Sequence, residues 1–94
     1  MILLVTYELK GQPGKSYDKL YSILKSSNEW WHYLDSTWII DTNDTVKEFS
    51  DKILQAIDGG NDNFLVVEIT GQSRQGWLPT KAWEWLKKHD PKIL

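Results

Sequence analysis

The residue pattern predicts an α+β fold: an antiparallel four-stranded sheet with two helices on one face and a short C-terminal helix. Three observations predict it. Four segments are rich in aliphatic, aromatic or β-branched residues, as strands are. Two others repeat apolar residues every three or four positions, the period of a half-buried helix. Their order along the chain is β-α-β-β-α-β, followed by one more helical stretch.

Ile2–Glu8 begins as an unbroken apolar run and reads as a buried central strand. Lys10-Gly11-Gln12-Pro13-Gly14 is a loop, with two glycines and a proline in five residues. Ser16 is placed to cap the first helix, and Asp18 suits the positive end of its dipole. Tyr17, Leu20, Tyr21 and Leu24 give that helix one apolar face, and Ser26-Ser27-Asn28 ends it. Trp30–Thr42 is too long for one ordinary strand, so it reads as a hairpin, Trp30–Tyr33 and Thr37–Asp41, turning at Leu34-Asp35-Ser36. Thr45-Val46-Lys47-Glu48 is a capping box, in which Thr45 and Glu48 each satisfy the other's free amide. Val46, Phe49, Ile53, Ala56 and Ile57 form the stripe of this second helix, and Gly59-Gly60 is expected to supply a left-handed cap. Asn63–Thr70 is the last strand. Pro79 suits the first turn of a final helix reaching about His89, with Leu78, Ala82, Trp85 and Leu86 on one face. This order is the split βαβ, or ferredoxin-like, arrangement. The sheet face turned away from the two helices needs a cover, and the final helix or a second subunit would provide it.

The chain of 94 residues is expected to form one domain, with a 1–70 core and the helix at 77–89 appended to it. At 40% hydrophobic and 26% charged, the composition is that of a folded protein and excludes global disorder. The absence of cysteine excludes disulfides, thiolate zinc sites and a cysteine nucleophile. Met1–Val5 and Phe64–Val67 are the longest apolar runs, far short of a membrane span. With no basic stretch ahead of the first run, the expected location is the cytoplasm.

Charge is unevenly spread. Residues 1–28 carry four lysines against two acids, 29–68 nine acids against two lysines, and 69–94 five bases against two acids. This acidic middle argues against a general nucleic-acid binder, although the basic ends would form a local patch if they met in space. One arginine among eleven basic residues is a poor supply of bidentate phosphate donors. The residues chosen as candidate contacts for a nucleic acid or another partner are Lys10, Lys15, Arg74, Trp30 and Trp31.

Six tryptophans are several times the usual share. Trp30 and Trp31 are adjacent in a strand, so they point to opposite faces, and one of them or Trp38 is expected at an interface or groove. Trp83 and Trp85 also diverge on their helix, which leaves Trp85 on the apolar stripe. His32 stands among aromatics without a partner histidine and reads as a packed or surface side chain. Gly71–Gly76 has the glycine spacing of a phosphate loop but continues as Trp77-Leu78 rather than Lys-Ser/Thr. The loop from Asp58 resembles a calcium loop, yet its sixth and twelfth positions are Asn63 and Ile69. Glu8, at the end of the first strand, is the acid best placed to emerge from the sheet and hold Mg²⁺.

The stretches Trp30-Trp31-His32-Tyr33-Leu34-Asp35-Ser36-Thr37-Trp38 and Gly76-Trp77-Leu78-Pro79, with Ala82-Trp83, resemble short bacterial proteins labelled SinR-like. The chain lacks the helix-turn-helix pattern that a repressor of that name would need. The strand ending in Tyr7-Glu8, the element order and the aromatic hairpin with Ser36 also resemble, more distantly, the ferredoxin-fold proteins of the CRISPR adaptation and VapD type. That resemblance implies a homodimer. It implies either a scaffold or a metal-dependent nuclease in which both subunits contribute an aspartate from the end of the first strand. Here the matching residue is Glu8, one methylene longer. The expected function is therefore a non-catalytic dimeric module for a protein or nucleic-acid partner, with no cofactor. The alternative is a Mg²⁺-dependent endonuclease acting on RNA or DNA, with a Glu8 pair at the dimer axis as catalytic and metal-binding group.

Overall fold

The computed structural model describes residues 1–10, 17–57 and 59–90. Its elements are β1 (Ile2–Glu8), α1 (Asp18–Lys25), β2 (Glu29–Leu34), β3 (Thr37–Asp41), α2 (Val46–Leu54), β4 (Asn63–Glu68) and α3 (Thr80–His89). The strands form one sheet in the order β2-β3-β1-β4, and every neighbouring pair is antiparallel. This α+β arrangement is compatible with a ferredoxin-like fold.

Strand alternation splits the apolar residues of β1 and β3 between two faces. Leu3, Val5, Trp38 and Ile40 point to one face, where they form a core with Leu20 and Leu24 of α1 and Phe49 and Ile53 of α2. Ile2 and Ile39 point to the other, where they meet Trp31 of β2 and Ala82 and Leu86 of α3. The two helices of the repeated β-α pattern thus share one face, and α3 covers part of the second.

Local signals fixed several boundaries as expected. The capping box is complete: Glu48 N–H donates to Thr45 Oγ1 at 3.1 Å and Thr45 N–H to Glu48 Oε1 at 2.9 Å. The aromatic hairpin forms and turns at Asp35-Ser36, but Leu34, expected in the turn, is the last residue of β2, which begins at Glu29 rather than Trp30. Other boundaries differ. α2 stops at Leu54, with Gln55 still right-handed and Ala56 N–H bonded to Ile53 O, so its end does not use Gly59-Gly60. The chain instead turns left-handed at Gly71 (φ 72°), just past β4, where any side chain would be strained. β4 ends at Glu68 rather than Thr70, because Thr70 has left the ladder: its Oγ1 accepts from Ile2 N–H at 2.7 Å. The Ser16 cap and the loop at 11–14 lie outside the described residues; α1 starts after Tyr17, which makes no side-chain cap.

Trp83 departs from the helical-stripe reading. Both Trp83 and Trp85 are half-buried against the second-face cluster, while the fully buried positions of α3 are Ala82 and Leu86. An indole is wide enough to reach the core from either flank of a narrow stripe. Trp83→Ala and Trp85→Ala should therefore cost similar amounts in urea unfolding, each less than a fully buried tryptophan. A loss at Trp85 alone would restore the stripe reading.

Candidate functional site

Among the described residues, the second face of the sheet is only partly covered. Cross-strand rows show where the cover stops. The row Trp31–Ile39–Leu4–Val67 runs across all four strands, and α3 sits over its β2 and β3 end. The next row, Leu34–Thr37–Thr6–Leu65, has no helix over it among the described residues. Leu34, Leu65 and Val67 are 48%, 58% and 40% exposed. Leu34 reaches this face because a register shift between Trp31 and Leu34 interrupts the alternation of β2.

This open strip leads into a groove of about 450 Å³ between the sheet, α3 and the loop 72–78. Leu4, Ile39 and Trp31 belong to its sheet side, Trp83 and Leu86 to its α3 side. Gln72, Ser73, Arg74 and Gln75 contribute a polar wall, and Trp77 borders the mouth. The loop is pinned at its start. Gln72 N–H bonds to Ile69 O at 3.0 Å, and Gly71 N–H donates to Asp90 Oδ2 at 2.9 Å. Arg74 Nη2 reaches Asp90 Oδ2 at 2.5 Å and also bonds to the carbonyls of Ile69 and Gln72. Asp90, just after α3, thus holds the loop to the helix.

A second, smaller depression of about 220 Å³ lies on the other face beside α1, lined by Tyr21, Lys25, Trp30, His32 and Trp38. His32 stacks flat on Trp38, with centroids 4.0 Å apart and planes 15° apart, and its Nε2 lies 3.0 Å from Asp35 O. Lys25 Nζ sits 5.4 Å from the Trp30 ring centre. Trp38 Nε1–H donates to the Tyr7 hydroxyl at 2.9 Å, and burial pushes the Tyr7 phenol above its ordinary value. His32 is therefore a surface side chain stacked on a buried tryptophan, within the packed-or-surface reading of a lone histidine among aromatics.

The predicted contact residues fall in different places. Trp30 is 42% exposed at the aromatic depression, whereas Trp31 is buried on the opposite face and donates from Nε1 to Ala82 O at 3.1 Å. Trp31 therefore belongs to the core beneath the groove. Lys10 pairs with Glu8, Nζ to Oε1 3.1 Å, and both side chains are largely exposed. Arg74 lies by Ile69, whose N–H bonds to Ile2 O, so Lys10 and Arg74 stand at opposite ends of β1. They do not join into one patch. Lys15 lies outside the described residues. Glu8 is paired in the ladder with Asn63, and among the described residues no group of three His, Asp or Glu side chains is arranged to hold a metal ion.

Sequence reasoning missed Asp90 and the exposure of Trp77. The charge of Asp90 was legible, but its partner sixteen residues away was not. Trp77 gave a usable signal: an aromatic residue between Gly76 and Pro79 lies in a loop, outside any stripe. The chain matches no protein-family model, and no curated protein matches it significantly.

Proposed function

We propose that this chain is a non-catalytic binding module of ferredoxin-like fold that works in the cytoplasm as a homodimer and presents an apolar surface to a protein partner. The resemblance to SinR-like proteins, and more distantly to the CRISPR adaptation and VapD type, supports the same reading. One observation carries it: the partly open second face, where exposed Leu34 lines the groove and exposed Leu65 and Val67 lie on the same face of the sheet. Exposed apolar side chains gathered on one face beside a groove are an ordinary mark of an association site. β4 adds to it. It is an edge strand containing neither lysine nor proline, the residues that commonly protect an edge from pairing.

Light scattering over an approximately tenfold dilution around micromolar should show a mass falling from dimer toward monomer. The monomer mass at every concentration would sink the dimer. The competing nuclease reading makes Glu8 the test. The module should cleave neither RNA nor DNA with Mg²⁺ or Mn²⁺, and Glu8→Gln should leave its association unchanged. Metal-dependent cleavage by the wild type that disappears in Glu8→Gln, with the fold intact by circular dichroism, would establish the enzyme instead.

A further inference from the structure

Trp77 is 99% exposed, while the next most exposed large hydrophobic among the described residues, Leu65, is 58% exposed. A free indole presents about 150–250 Å² of mostly apolar surface to water. Its surroundings explain why it does not fold back. The Arg74–Asp90 pair fixes the loop on one side and Pro79 starts α3 on the other, leaving few residues between the anchors. A Cβ on the adjacent Gly76 would lie 3.9 Å from Trp83 Cζ2, so the loop is packed close to that ring. The short anchored loop holds Trp77 outward at the mouth of a groove about 450 Å³ in volume. Clefts of about 300–1,000 Å³ hold drug-sized ligands, so this one has room for an indole and some adjoining chain.

We propose that the occupant of the groove is Trp77 of a second copy, exchanged reciprocally across a twofold axis that passes close to the groove mouth. The inference rests on the homodimer reading and supplies its geometry. Knob and groove border each other on one surface, so a single twofold rotation closes both contacts and leaves none open for further growth. The polar wall of Gln72, Ser73 and Gln75 offers side-chain oxygens to the indole N–H, which needs an acceptor when buried. Asp90 already neutralises Arg74, so closing the groove does not bury an unpaired cation. Leu34, Leu65 and Val67 surround the contact with further apolar area. With two indoles of about 150–250 Å² each, they bring the interface toward the ~1,200 Å² of a specific complex. A central tryptophan ringed by weaker contacts is the usual form of a binding hot spot.

The test uses the full chain in sedimentation equilibrium from about 1 to about 100 μM, where micromolar association is read directly. Trp77→Ala removes the knob and Leu34→Arg puts a charge at the groove rim; both positions are exposed enough to spare the fold, which thermal unfolding checks. Each variant alone should dimerise about a hundredfold more weakly than the wild type. An equimolar mixture should recover a heterodimer about tenfold tighter than either variant's homodimer, because one intact knob then meets one intact groove. A wild-type dimer unaffected by Trp77→Ala, or a mixture no tighter than its components, would overturn the exchange and leave the homodimer standing on another surface. A wild type that stays monomeric to the highest concentration would remove both.

Discussion

Trp31→Ala is expected to cost about 3–5 kcal/mol of stability, the range for deleting a large buried aromatic. Trp31 is 1% exposed and lies at the centre of the second-face cluster, between Ile39 on the sheet and Ala82 and Leu86 on α3. Its indole N–H also donates to Ala82 O at 3.1 Å, tying β2 to the first turn of α3. Removing the ring leaves a void beneath α3 that the sheet cannot close, because β-strand spacing is set by its hydrogen bonds. Trp30→Ala, on the neighbouring residue, should cost much less, since Trp30 is 42% exposed and packs at a tilt against Trp38. Urea unfolding midpoints of the two variants check this directly. Equal losses would mean that strand alternation does not separate the pair as it does here.

Asp90→Ala should be comparably damaging, at about 3–5 kcal/mol, because it removes one partner of a buried ion pair and strands the other. Asp90 is 5% and Arg74 17% exposed at the side chain. Asp90 also accepts from Gly71 N–H, so its loss frees the left-handed turn as well as the guanidinium. Arg74 would keep only the neutral carbonyls of Ile69 and Gln72 as acceptors, and its Nη1 is already buried without a protein hydrogen-bond partner. The double replacement Arg74→Met with Asp90→Leu should recover much of the loss, since apolar substitutes for a buried pair are often close to neutral. Added salt should change the wild-type stability little through this pair, because buried charges are poorly screened. Asp90→Ala unfolding at the wild-type urea midpoint would show that the bridge is ornamental.

These two effects differ in how far they could be read in advance. The opposed faces of Trp30 and Trp31 follow from the two-residue period of a strand, and that period is written in the sequence. The Thr45–Glu48 box, the aromatic hairpin and the stripes of α1 and α2 are likewise interactions between residues a few positions apart, so spacing alone reveals them. The candidate site is built otherwise. Leu34 reaches the groove only because β2 slips its register, and Trp31 becomes core only because α3 folds over it from fifty-one residues away. Arg74 looked like a partner contact as the lone arginine of a basic tail; Asp90 makes it a structural brace. The exposed row of Leu34 and Leu65 joins residues of β2 and β4, the two outermost strands, which lie on opposite edges of the sheet and do not pair with each other. By itself the sequence determined the elements, their order and the side that residues of regular strands would face, because those depend on local backbone geometry and near-neighbour hydrogen bonds. Which part of the second face stays open, and which side chains border it, was decided only by the tertiary structure. Contacts such as Ile2 with Thr70 join residues sixty-eight apart, and no periodicity encodes where such residues meet.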